Sequence, residues 1–101
     1  MLDLRPDLVE MVRGIVTRHL PGRAVWAFGS RVTGRATLHS DLDLAIMGEG
    51  PVDPVTMALL RDDLRESNLP IKVDLVEWVT VPPTLQAAIQ AVHQVLLPTG
   101  G

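Results

Sequence analysis

From Asp41 onward the chain reads D-L-D-L-A-I-M, and no other stretch limits the fold so tightly. Leu42, Leu44 and Ile46 recur at every second position, so on a β-strand they share one face, while Asp41, Asp43 and Ala45 share the other. This predicts a strand over 41–47 with an apolar face toward a core and two carboxylates on the opposite face. Residues i and i+2 of a strand lie roughly 6–7 Å apart at Cα. Two carboxylates at that separation repel, raise their own pKa values and weaken the fold if left unpaired.

The remaining elements follow from periodicity and punctuation. Residues 5–20 read as a helix, with Leu8, Val12, Ile15 and Val16 at helical spacing, Pro6 in the first turn and Pro21-Gly22 as the stop. A first strand is predicted over 23–28, a short helix or turn over 30–35 that Ser30 can cap, and a loop over 37–40. A helix is predicted over 55–67, with Asp53 as cap and Pro54 at its first position. A third strand over 71–76 alternates Ile71, Val73 and Leu75 with Lys72, Asp74 and Val76. A last helix is predicted over 83–97, with Leu85, Ala88, Ile89, Val92 and Leu96 inward, followed by Pro98 and a tail over 99–101. The order α-β-α-β-α-β-α is that of an α/β (α+β) layered chain, read as a single domain over 1–101.

Composition enters by exclusion. Apolar residues at 47% are too many for a disordered chain. No apolar run approaches the ~20 residues that span a bilayer, and the start lacks the layout of a secretion signal. There is no cysteine, which removes disulfides and thiolate metal sites and fits a cytoplasmic setting. A net charge of −3 argues against a duplex nucleic-acid binder, and one Phe with no Tyr argues against a stacking platform for single strands.

The acidic pair has a chemical use. Mg²⁺ takes oxygen ligands, commonly one or two carboxylates with waters and substrate phosphates. Two such ions clamp the attacking and leaving oxygens of a phosphoryl transfer. Two Asp on a strand can equally cap loops or face solvent. Gly29-Ser30 ends the first strand, where glycine admits close backbone approach and helix-start N–H groups favour phosphate. If the first two strands run antiparallel, Gly29 and Ser30 lie beside Asp41 and Asp43.

Gly29-Ser30, ten intervening residues and then Asp41-Leu42-Asp43, with Asp74 on a later strand, resembles the minimal nucleotidyltransferases of the DNA polymerase beta superfamily. The resemblance implies a nucleotidyltransferase fold, a small mixed sheet flanked by helices. It implies Mg²⁺, two ions, on Asp41, Asp43 and Asp74, and nucleotide phosphates on Gly29 and Ser30. Asp74 would complete the metal site and help deprotonate the acceptor hydroxyl. The implied reaction moves AMP from ATP and releases pyrophosphate. Small members of this kind commonly act as antitoxins paired with a HEPN-domain RNase toxin, some modifying a toxin tyrosine with AMP.

Other residues carry open readings. Arg31 can reach a γ-phosphate or pair with Asp41 or Asp43, and Ser40 can orient a carboxylate or contact phosphate. Lys72 can neutralise Asp74 or contact phosphate, and His39 reads as a loop-surface residue. His19 and His93 fall on helices with no partner visible. Trp26 reads as strand packing, Trp78 as packing under the last helix or as partner surface, and Met1, Met11, Met47 and Met57 as packing. Two competing functions stand beside protein AMP transfer. One is an antitoxin that neutralises by binding alone; the other is a transferase for a small molecule such as an antibiotic, disfavoured by the short stretch after the third strand.

Overall fold

The computed structural model describes residues 2–100, so Met1 and Gly101, read above as a packing residue and the end of a tail, lie outside the described residues. The elements are α1 (Pro6–His19), β1 (Val25–Phe28), α2 (Ser30–Thr33), β2 (Leu42–Ile46), α3 (Pro54–Glu66), β3 (Val73–Glu77), a 3₁₀ turn (Trp78–Thr80), α4 (Pro83–Ala91) and β4 (Gln94–Leu97). They build a four-stranded mixed sheet in the order β3-β2-β1-β4. β1 runs antiparallel to β2 and to β4, while β2 and β3 run parallel.

The alternation along β2 sets the layers. Leu42, Leu44 and Ile46 are fully buried and join Val12, Val16, Val25, Ala27 and Leu60 in the main core, which α1 and α3 cover. Full burial of such a side chain stabilises the fold by roughly 1.5–3 kcal/mol. Asp53 starts α3 as predicted, its carboxylate accepting from the Thr56 backbone N–H at 3.1 Å. Among the described residues, no helix is long and apolar enough to cross a membrane.

The opposite face of the sheet has a smaller core of Ala45, Val81 and Ile89, with Trp26, Phe28, Met47, Val76 and Trp78 packed against it. Trp26 stacks on His93 at a ring-centroid distance of 3.9 Å and an interplanar angle of 8°. Trp78 meets Trp26 edge-on at 5.9 Å.

The C-terminal third departs from expectation. The helix predicted over 83–97 ends at Ala91, and Gln94–Leu97 is a strand. The antiparallel partner of β1 decides this: its second edge carries unpaired N–H and C=O groups, and β4 satisfies them. Of the five positions expected inward, Ile89 and Leu96 are buried, whereas Leu85 and Val92 are 39% and 47% exposed and Ala88 is exposed too. His93 sits beyond α4, and its Nδ1 lies 2.9 Å from the Ile89 carbonyl. His19 also has a partner: its Nε2 lies 2.8 Å from Asp63 Oδ2, linking α1 to α3, and Arg18 donates to the same oxygen at 3.1 Å.

Candidate active site

The site is built where β1 ends and β2 begins. Because these strands are antiparallel, Phe28 at the end of β1 pairs with Asp43 near the start of β2. Gly29 follows directly. Its φ of 81° and ψ of −157° belong to a backbone region essentially reserved for glycine. A Cβ at Gly29 would land on the Asp43 carboxylate, so the bare Gly29 backbone packs directly against Asp43 Oδ2. Gly29 also occupies the N-cap of α2, and its carbonyl accepts from Val32 and Thr33 at 3.0 and 3.1 Å. Ser30, expected as the cap, is instead the first helical residue.

The third carboxylate arrives across the parallel pair, where Asp43 stands in register with Asp74. Asp41 immediately precedes β2, on the same face as Asp43 by strand period. Burial pushes the Asp43 carboxyl above the ordinary carboxylate range, and the neighbouring charges of Asp74 and Asp41 push it further. A negative charge at Asp43 is thus disfavoured by its half-buried position and by the two carboxylates nearby.

Lys72 Nζ lies 3.2 Å from Asp74 Oδ1 at the exposed rim. That hydrogen bond, then the charges of Asp74 and Asp41, raise the Lys72 pKa, so the ammonium stays protonated through neutral pH. This is the neutralising role open to Lys72 from its position on the strand. Among the described residues, no group of three acidic or histidine side chains stands in metal-holding geometry. The structure therefore brings Asp43 to Gly29 and Asp74 to the register of Asp43, while Asp74 is engaged by Lys72. The donor chemistry fits a hard divalent cation, since an all-carboxylate set with one member of raised pKa gains from a positive charge.

Arg31 and Ser40 both take main-chain partners. Arg31 is 6% exposed, and its guanidinium donates to the backbone carbonyls of Asp3 (2.7 Å), Ser40 (3.0 Å), Leu38 (3.3 Å) and Thr37 (3.4 Å). Among the described residues, no ion pair joins it to Asp41 or Asp43. The Ser40 hydroxyl accepts from the Thr37 backbone N–H at 2.8 Å and closes the turn before Asp41. His39 is exposed on that turn. The 2–4 segment was not anticipated as a neighbour of the site, and nothing in its residue types signals that Asp3 meets Arg31 through main-chain atoms.

A cleft of ≈ 440 Å³ lies between α3 and β3, lined by Arg61, Arg65, Leu69, Ile71, Lys72 and Asp74 among others. It touches the third carboxylate, but Gly29, Ser30, Asp41 and Asp43 do not line it.

The family described as polymerase beta, nucleotidyltransferase matches residues 11–99. The chain is 40% identical over 95 residues to a probable protein adenylyltransferase MntA of Haemophilus influenzae, covering 94% of this chain and 83% of that relative. Its fold is similar to that of a toxin–antitoxin crystal structure with AMP-PNP, with a TM-score of 0.74 and 22% identity over 90% of this chain and 73% of the other. A tri-AMPylated Shewanella oneidensis HEPN toxin in complex with an MNT antitoxin gives a TM-score of 0.64 and 20% identity over 90% and 73%. The likeness to these two structures, both below 25% identity, shows the fold of this chain.

Proposed function

The chain belongs to the polymerase beta nucleotidyltransferase family, and on that premise we propose that it is a protein adenylyltransferase and an antitoxin. It transfers AMP from ATP to a hydroxyl, that of a tyrosine, on a cognate HEPN RNase toxin. The similarity at 40% identity to a probable protein adenylyltransferase supports the activity, and the complex with a tri-AMPylated HEPN toxin supports the acceptor. The observation in this chain that carries the reading is the packing of the Gly29 backbone against the Asp43 carboxylate, with Asp74 in register beside it.

In the reaction the acceptor oxygen attacks the α-phosphorus. An O–P bond forms, the bond to the β-phosphate oxygen breaks, and pyrophosphate leaves with its electron pair. Gly29 and Ser30 bind the triphosphate through their backbone N–H groups, and the missing Cβ of Gly29 leaves room for the Asp43 carboxylate to stand directly against that turn. In this structure the guanidinium of Arg31 and the hydroxyl of Ser40 are engaged within the protein. Asp41 and Asp43 would hold Mg²⁺, with Asp74 beside them in register with Asp43. When bound, the cation neutralises phosphate charge and polarises the reacting oxygens. Asp74, paired through Oδ1 with Lys72, helps deprotonate the acceptor hydroxyl. We place the protein in the cytoplasm, where ATP and a ribonuclease partner meet, without duplex nucleic-acid binding.

Incubation with α-labelled ATP, Mg²⁺ and the HEPN partner is expected to label the partner, and Asp41→Asn with Asp43→Asn to abolish labelling. An unlabelled partner that nonetheless binds, or full labelling by the double variant, overturns the reading. Neutralisation by binding alone is the second reading, and the chain's net charge of −3 suits it to a basic RNase surface. It prevails if the double variant still suppresses the toxin in cells.

A further inference from the structure

Arg31 is the one buried charged side chain among the described residues, and nothing in the proposed chemistry uses it. Burying a guanidinium without a carboxylate partner is costly unless its N–H groups are satisfied. Here they are satisfied by main-chain carbonyls alone. Those carbonyls are not an arbitrary set. One belongs to Asp3, whose own N–H donates back to the Arg31 carbonyl at 2.7 Å, a reciprocal pair that straps the 2–4 segment across α2. The other three belong to the turn that leads into β2. The shortest of these, at 3.0 Å to Nε, goes to the Ser40 carbonyl, which is the peptide group joined to the Asp41 nitrogen.

Closing the turn does not require Arg31. The Ser40 hydroxyl and the Ser40 N–H to Thr37 carbonyl bond at 3.2 Å already do so. What Arg31 adds is a tie between elements. Its main chain lies in α2, two residues after Gly29, while its side chain grips the peptide that feeds Asp41. It therefore fixes the distance between the phosphate side of the site and the carboxylate side. Asp43 is already braced from its neighbours by Gly29 and by strand pairing on both sides. Asp41 stands just outside β2 and has no such ladder.

We propose that Arg31 is a positioning residue: by holding the Ser40–Asp41 peptide against α2 it sets Asp41 relative to Asp43 and to the Gly29-Ser30 turn. The inference rests on the proposed metal–nucleotide site but assigns Arg31 a role there distinct from phosphate binding. Outer-shell residues that orient metal ligands typically cost about 10–100-fold in metal affinity or activity when removed.

The test compares Arg31→Met and Arg31→Lys with the full wild-type chain in three readouts. These are backbone amide exchange of residues 37–41, Mn²⁺ binding to the free protein, and the separate kcat and KM for ATP in AMP transfer to the HEPN partner. Arg31→Met is expected to speed exchange at 37–41, weaken Mn²⁺ by about 10–100-fold and lower kcat by a like factor, with KM for ATP unchanged. Lysine can reach one or two of the carbonyls and is expected to restore part of each loss. If Arg31→Met does not fold, Arg31→Lys decides the matter through the same three readouts. A raised KM with unchanged kcat, exchange and Mn²⁺ affinity would instead make Arg31 a phosphate ligand and overturn the proposal. Unchanged values throughout would overturn it too. Should the wild type transfer no AMP, the functional reading fails, while exchange and Mn²⁺ binding still judge the positioning role.

Discussion

Replacing Gly29 with alanine separates two consequences of one atom. The first is backbone strain. At φ 81° and ψ −157° a residue with a Cβ costs about 1–3 kcal/mol. For a chain of this size each kcal/mol moves the melting temperature by about 4–8 °C, so Gly29→Ala should melt roughly 4–24 °C below wild type. The second consequence is local. The new methyl would occupy the space of Asp43 Oδ2, and the carboxylate, being the free end of a short side chain, would swing away to relieve the clash. That relief costs little stability but removes a ligand from its place. Gly34→Ala is the control. Gly34 has φ 83° and ψ 13°, and a methyl added there would meet nothing within 4 Å, so it bears a penalty of about 1–2 kcal/mol without touching the site. Thermal melts and AMP transfer at a temperature where both variants are folded make the assay. Both should melt below wild type, and only Gly29→Ala should lose activity. If Gly29→Ala melts with wild type, or if Gly34→Ala loses as much activity, the reasoning is refuted.

Other outcomes follow from single contacts. Asp43→Asn should melt higher than wild type near neutral pH and lose AMP transfer. Burial and the Asp74 and Asp41 charges raise the Asp43 carboxyl, so its contribution to stability is present below the unfolded pKa of about 4 and is lost as pH rises through the folded value. Melts from pH 3 to 8 check this, and a gain independent of pH would contradict it. Ile89→Ala should cost about 2–5 kcal/mol in urea unfolding, because Ile89 is 1% exposed at the centre of the smaller core. Asp63→Asn removes the negative charge shared by His19 and Arg18, and a loss of about 0.2–1 kcal/mol is expected from a partly exposed pair of this kind. Backbone chemical shifts of residues 94–97 should report strand and not helix.

The sequence was most legible where one local rule agreed with the tertiary fold. The alternation of Leu42, Leu44 and Ile46 predicted both the strand and the face it buries, and Asp53 predicted the start of α3. The proximity of Gly29 to Asp43 followed once the first two strands were taken as antiparallel, which the pairing of Phe28 with Asp43 bears out. Local rules failed where long-range pairing decided. Leu85, Ile89, Val92 and Leu96 sit at helical spacing, yet the open edge of β1 draws Gln94–Leu97 into the sheet and leaves Val92 at the surface. His93 found its partner, Trp26, only through that strand. Arg31 was opaque for a related reason. Its acceptors are backbone carbonyls at Asp3 and in the 37–40 turn, and main-chain acceptors leave no mark on residue type.

The central claim is that the Gly29-Ser30 turn and the carboxylates of β2 and β3 form one metal–nucleotide site. Crystals grown with Mg²⁺ and a non-hydrolysable ATP analogue test it most directly. The account predicts triphosphate oxygens on the Gly29 and Ser30 backbone, with a magnesium ion bound by Asp41 and Asp43. Nucleotide seated in the cleft between α3 and β3, or Asp41 and Asp43 turned apart with no ion between them, would contradict it.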